Sequence, residues 1–257
     1  MESAPTVVSR VAAILRALSQ HEPDGATTTQ IAEVADVPRP SAHRLLVKLA
    51  AEGLSDRDSD GRWKLGPEAY LLGAAAAERY DVTDVARPVV RGLADATGES
   101  AFFSAQRGDE TVCLLREDGS FPIRSFVLYE GIRFPLGVAS AGLVILAYLD
   151  ADDRRRYLEN TDLTERYGQA HSRPEVERRV RRTRRDGYAT NPGLIVPGSW
   201  GMAAAVFDGA DQPRWALTLT GVESRFTRER RPRLGSLLLK EAHRLGKQLS
   251  QPGRRHG

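Results

Sequence analysis

The stretch TTTQIAEVADVPRPSAHRLLVKLAAEGL, Thr27 to Leu54, followed by SDRDSDGRWKLG to Gly66, decides the fold of this chain. It reads as two short helices joined by a tight turn and then a two-stranded wing. Thr27 and Gln30 have the spacing of a capping box, in which the threonine hydroxyl and the glutamine amide satisfy each other's backbone N–H groups. Ile31, Ala32 and Ala35 then share one helical face. Asp36-Val37-Pro38 ends that helix, because a residue before proline is pushed out of the helical region. Pro40 falls in the first turn of the next helix, where its missing N–H costs nothing.

The second helix carries Ala42, Leu45, Leu46 and Leu49 at helical spacing, so this stripe packs inward. Arg39, Pro40, Ser41, His43, Arg44 and Lys48 remain on the other side. A helix that enters the DNA major groove needs this division, with apolar residues as anchor and leading polar residues toward base edges and phosphates. Arginine reads guanine bidentately, while Ser and Lys more often hold phosphates. Gly53 stops the helix. Leu54–Arg57 and Arg62–Leu65 are the expected wing strands around the turn Asp58-Ser59-Asp60-Gly61. Arg57, Arg62 and Lys64 are the candidate wing contacts to backbone or minor groove. Upstream, Val7, Val11, Ile14, Leu15 and Leu18 make an amphipathic first helix that completes a small core.

Charge does not by itself mark a nucleic-acid binder. Residues 1–66 hold 8 Lys+Arg against 9 Asp+Glu. A positive footprint must come from segregation, with Arg39, Arg44 and Lys48 on one face. A single such domain would bind weakly, which favours a homo-dimer or tetramer that adds half-sites. The bland reading of the same pattern is a three-helix protein-interaction module.

With 257 residues, 41% of them hydrophobic, the chain has enough apolar material for two compact domains. No apolar run is long enough to span a bilayer, and the N-terminus does not read as a signal peptide, so the expected setting is the cytoplasm without membrane contact. One cysteine, Cys113, excludes an intrachain disulfide and a cysteine-cluster metal site. Beyond residue 66 there are 29 Lys+Arg against 25 Asp+Glu, with basic runs at 178–185 and 225–233. These read as solvated helix faces.

Pro67–Tyr80 reads as a helical linker. Thr83 or Asp84 caps the next helix, whose inward stripe is Val85, Val89, Leu93 and Ala96. Glu99–Gln106 and Glu110–Arg116 form a hairpin around Arg107-Gly108-Asp109. Ile123–Tyr129 alternates as a third strand. Ala139–Tyr148 is a buried helix and Arg173–Asp186 a charged one. Gly201–Phe207 and Arg214–Val222 are two more strands, and the last helix runs from about Arg228 to Ser250. The expected organisation is a winged helix-turn-helix over 1–66, a linker helix over 67–81, an α+β domain over 82–250 and a disordered tail over 251–257.

The segments VVSRVAAILRALSQ, TQIAEVADVPRPSAHRLLVKLAAEGL, GRWKLGPEAYLLG, DVARPVVRGLADATGES, FPLGVASAGLVILAYL, RDGYATN and WALTLTGVESRFT occur in that order. Together they resemble the isocitrate lyase regulator (IclR) family of bacterial transcription factors, from about Val8 to Leu249. The resemblance implies a DNA-binding winged helix, a linker helix and a GAF/PAS-like C-terminal domain that binds a small effector. It also implies dimers of dimers on a pseudo-palindromic operator of double-stranded DNA, which repress or activate, and a repressor is the expectation for this chain. The family's P-L-H-A-T/S-A-x-G-K pattern reads here as Pro135-Leu136-Gly137-Val138-Ala139-Ser140-Ala141-Gly142-Leu143. Its histidine is replaced by Gly137 and its lysine by Val144 or a neighbour. Ser140 and the helix N-terminus remain, a setting that favours anions. The family's other polar pocket groups fall at Asn191, Gly201, Thr218 and Thr220. Trp200, Phe134 and Leu136 point to a flatter, more apolar occupant than a small oxo-acid, so the effector is expected among acids, aromatics and lactones.

Two other readings stand beside this one. Trp200 blocks the pocket, giving a regulator that acts without ligand. Or the chain is an enzyme, against which its residues argue. His21, His43, His171, His243 and His256 lack metal-ligand spacing, no phosphate-binding glycine loop is present, Cys113 sits in an apolar strand, and neither Ser140 nor Ser199 has a placed histidine. No catalytic residue, metal or cofactor is expected.

Overall fold

The computed structural model describes residues 6–77, 82–123 and 127–250. The expected tail, the end of the linker and part of the expected third strand lie outside the described residues. The chain divides into two compact units, Met1–Asp81 and Val82–Gly257.

The first unit runs α1 (Val7–Ser19), α2 (Thr28–Ala35), α3 (Arg39–Ala51), β1 (Ser55–Arg57), β2 (Trp63–Leu65) and α4 (Pro67–Ala77). Thr27 Oγ1 accepts from Gln30 N at 3.3 Å, and Thr27 N donates to Gln30 Oε1 at 2.9 Å, so the capping box starts α2. Ile14, Leu18, Ile31, Ala42, Leu46 and Trp63 close the core. Each large apolar side chain removed from water there contributes about 1.5–3 kcal/mol. Trp63 fastens the wing: its backbone bridges Ala26, and its indole N–H donates to Thr28 Oγ1 at 3.0 Å. At the far end of α3, Gly53 and Gly66 meet backbone to backbone. A Cβ on Gly66 would stand 2.1 Å from the Gly53 carbonyl oxygen. That carbonyl also accepts from Glu68 N at 3.0 Å, in the first turn of α4.

The second unit contains α5 (Val82–Thr97), β3 (Ser100–Arg107), β4 (Glu110–Glu117), β5 (Arg133–Pro135), α6 (Ser140–Tyr148), α7 (Ala151–Asn160), α8 (Thr164–Tyr167), α9 (Arg173–Asp186), β6 (Ala189–Pro192), β7 (Ser199–Val206), β8 (Trp215–Val222) and α10 (Arg230–Ser250). The strands form one antiparallel sheet in the order β5-β4-β3-β8-β7-β6. Alternation along the strands assigns its two faces. Met202, Ala204, Leu217 and Leu219 meet α5 and α10. Ala203, Ala205 and Ala216 meet α6, α7 and α9. Small residues on that second face let α6, buried from Ser140 to Ala147, lie close on the sheet.

One expectation is corrected. Residues 121–123 and 127–129 carry no strand; the third strand is Arg133–Pro135 instead, pairing with β4. Asn191 and Pro192 belong to β6 and pair with Gly201 and Trp200. α7 carries so few apolar residues that its helical period was hidden, yet Tyr157 and Leu158 anchor it.

Candidate nucleic-acid interface and ligand cavity

On α3, Ala42, Leu46 and Leu49 face the core, while Arg39, Pro40, His43, Arg44, Val47 and Lys48 are exposed and Ser41 is half-buried. Pro38 and Pro40 start the helix, and the Pro38 carbonyl accepts from Ser41 N at 2.8 Å and Ala42 N at 3.0 Å. Arg39 Nε donates to Thr29 Oγ1 at 3.2 Å, which aims its guanidinium from α2. Arg44 Nη2 donates to Ser41 Oγ at 3.3 Å. Neither arginine has a carboxylate partner among the described residues, so both remain available to an external anion. His43 meets the Trp63 ring edge-on, at 6.4 Å between centroids. Val47 and Thr29 were not singled out from sequence. An exposed valine suits a thymine methyl, and its position between Arg44 and Lys48 was the available signal.

The three wing cations have different duties. Arg57 lies over the Trp63 ring at 5.3 Å and donates to Gly61 O. Lys64 pairs with Asp58 at 3.3 Å. The Arg62 N–H foremost, and then Lys64, hold the Asp58 carboxyl below the usual range. Arg62 departs from expectation. Its guanidinium is half-buried and donates to Asp24 O at 2.9 Å and Gly25 O at 2.7 Å, so it ties the wing to the turn before α2 instead of facing outward.

In the second unit, β6, β7, β8 and the start of α6 enclose a cavity of about 20 Å³, room for about one water. Of the expected pocket residues, Ser140, Asn191, Trp200, Gly201 and Thr220 line it. Val127, Leu128, Ile195 and Val196 supply apolar wall that sequence reading missed, because nothing in a loop's composition says where it folds back. Gly201 is the close approach: a Cβ there would stand 3.0 Å from Ser140 Oγ. Asn191 is a latch. Its Nδ2 donates to Val138 O at 2.8 Å and its Oδ1 accepts from Leu194 N at 3.0 Å. The Thr220 hydroxyl is buried with no partner among the described residues. Ser140 Oγ makes no hydrogen bond there either, at the N-terminus of a nine-residue helix. Among the described residues no charged side chain lines the cavity. An oxygen acceptor placed in it would therefore be held by hydroxyls and helix N–H groups.

Four expected pocket residues lie elsewhere. Phe134 packs beside Phe102, Cys113 and Leu128. Leu136 is core between α6 and α9, and its carbonyl accepts from the Tyr157 hydroxyl at 2.7 Å. Gly137, at φ +86°, turns its open side toward Val176, Leu146 and Leu163. Thr218 is fully buried without lining the cavity, its hydroxyl also unpartnered. Trp200 lines the cavity, but its ring is on the opposite face of β7 from Gly201. There it stacks on Phe226 at 6.3 Å, beneath Arg231. It neither blocks the cavity nor offers a flat aromatic wall. Cys113 is buried, and burial pushes its thiol up to about 12, so it stays protonated at neutral pH.

Residues 7–59 match the IclR helix-turn-helix domain, and residues 74–247 match the bacterial transcriptional regulator IclR C-terminal domain. The HTH-type transcriptional regulator BhcR of Paracoccus denitrificans is 30% identical over 228 residues, 86% of this chain and 80% of that one. The crystal structure of a regulator of this kind from Alicyclobacillus acidocaldarius is 27% identical, with a TM-score of 0.74 over 93% of this chain and 97% of that one. An IclR homolog from Microbacterium hydrocarbonoxydans, crystallised with 4-hydroxybenzoate, shares the fold at 20% identity, with a TM-score of 0.74 over 95% and 99% of the two chains.

Proposed function

Because this chain belongs to the IclR family of bacterial transcriptional regulators, we propose that α3 reads a pseudo-palindromic operator and that the cavity beside Ser140 receives the effector that modulates that reading. Its family is one of regulators and not of enzymes. Among the described residues no helix is long and apolar enough to cross a membrane, and the site of action is the cytoplasm, with the DNA. Arg39, Arg44 and Lys48 contact bases and phosphates, Ser41 and His43 flank them, and Arg57 and Lys64 reach the backbone. The observation that carries this reading is the pair of exposed arginines on α3 without carboxylate partners among the described residues.

Two copies act together. α4 exposes Tyr70, Leu71 and Leu72 at 76%, 56% and 56%. Eleven residues make only a marginal helix in water. A second α4 laid against it would cover those side chains, and tetramers would add further half-sites. In this arrangement the protein represses by occupying its operator.

The effector is a small molecule with an oxygen acceptor, such as a carboxylate or lactone carbonyl, and an apolar body against Leu128 and Ile195. The buried Thr220 hydroxyl, without a partner among the described residues, supports this, since such a group costs about 1–3 kcal/mol until something accepts from it. A cavity of about 20 Å³ favours a second reading, in which the regulator works without effector. Under the first reading Val127–Leu128 or the loop after β6 moves aside on binding.

A footprint on the promoter next to the coding region tests the DNA assignment. A protected palindrome is expected, with affinity falling steeply as salt rises. Salt-insensitive binding, or no protection, would favour the protein-interaction reading.

A further inference from the structure

A second cavity, of about 260 Å³, lies between α9, β6 and the loop after β6. It has more than ten times the room of the one beside Ser140, and approaches the roughly 300 Å³ at which small-molecule pockets begin. Its wall is cationic. Arg178, Arg179 and Arg182 border it, against one carboxylate, Glu175. Arg178 pairs with Glu175, and Arg182 with Asp186 at 3.3 Å. Arg179 has no carboxylate partner among the described residues. It donates to two carbonyls, Ala170 O at 3.1 Å and Glu175 O at 3.4 Å, and its Nη1 is buried with no partner. Thr183 and Thr190 add hydroxyls to the wall, neither of them hydrogen-bonded to a described residue.

A half-buried guanidinium that donates only to carbonyls, with its nearby carboxylate Glu175 already paired to Arg178, is short of the counter-charge that usually accompanies such a group. Two guanidiniums at its flanks and two free hydroxyls supply what a planar or tetrahedral oxyanion needs: charge, forked donors and further O–H donors. We propose that this cleft is a binding site for a small anion bearing a carboxylate or phosphate group, separate from the effector cavity. The site reaches the same loop from its other side. Pro192 and Leu194 border this cleft, while Ile195 and Val196 wall the first cavity.

The test is calorimetric titration of the full chain with inorganic phosphate and, separately, with succinate. Chloride holds ionic strength constant, and succinamide is the neutral control. Saturable binding of at least one anion is expected, with none of succinamide. The anion that binds names the head group. Arg179→Gln should weaken it at least tenfold, whereas Arg181→Gln, on the same helix outside the cleft, should change it less than twofold. If Arg179→Gln fails to fold, Arg182→Gln carries the test, with at least a threefold loss expected. The proposal is overturned if neither anion saturates, if both arginine variants of the cleft bind like the wild type, or if binding follows ionic strength alone. Binding lost in Thr220→Val but kept in Arg179→Gln would move the anion to the first cavity and overturn it equally.

Discussion

The face of α3 and the cavity beside Ser140 are opposite solutions to holding a ligand. The first is convex, wet and cationic, made by one continuous segment of the chain. The second is concave, nearly full and, among the described residues, without charge, made where four distant segments meet. On the first, each arginine stands outside the core, so its loss should remove affinity and leave stability intact. In the second, every ligand-facing atom is also part of the packing, so recognition and stability are measured by the same substitutions.

The largest expected effect breaks the first half of that contrast. Arg39→Ala and Arg44→Ala should each lower operator affinity about ten- to hundredfold, equivalent to 1–3 kcal/mol. Binding isotherms would show the loss, and thermal unfolding should stay unchanged. A fall in melting temperature instead would make these arginines structural, as Arg62 is. Next comes Gly201→Ala. Its methyl would press on Ser140 Oγ at 3.0 Å, and overpacking of this kind costs about 1–3 kcal/mol. Effector response should vanish while ligand-free operator binding persists.

Thr220→Val sharpens the contrast further. It removes a buried hydroxyl that has no partner and keeps the shape, so the ligand-free protein should gain about 1 kcal/mol while its effector response weakens. Loss of stability would mean that the hydroxyl has a partner in the free protein; an unchanged effector response would support the ligand-independent reading.

The smallest effect concerns pH. His171 is buried, and its Nδ1–H donates to Tyr167 O at 2.9 Å. Burial foremost, with Arg179 nearby, lowers its pKa, so the fold holds it neutral. Its contribution is therefore complete above about pH 6.5, the unfolded value, and is lost as pH falls below that toward the folded one. Melting curves from pH 7.5 to 5.5 should show a shallower acid decline in His171→Phe than in the wild type.

What could be read in advance follows the same division. The capping box at Thr27, the proline-opened α3 and the Ala42–Leu46–Leu49 stripe are local signals, interpretable within one or two turns of helix. Arg62 escaped because an arginine in a wing looks alike whether it faces solvent or folds back onto Gly25. The cavity was half legible. Ser140, Asn191, Gly201 and Thr220 came through the family resemblance, and they do meet in space. Trp200 misled because strand parity, not residue type, decides which face a side chain takes. The expected strand began at Gly201, two residues after the start of β7, so Trp200 fell outside it and its parity was not read. Gly137 and Leu136 misled because a motif position was taken for a cavity position, when the turn sends them under α9. Val127 and Ile195 carried no local signal at all.

The contact of Gly53 with Gly66 has a mechanical meaning. With no side chain between them and a hydrogen bond across the joint, α3 and α4 cannot swivel independently. Under the proposed function they would act as one bent lever, carrying a turn of α4 to the reading helix. Control of such a protein would change the angle at which paired readers address their half-sites, and so the operator spacing it tolerates, while leaving untouched the bases each reader prefers.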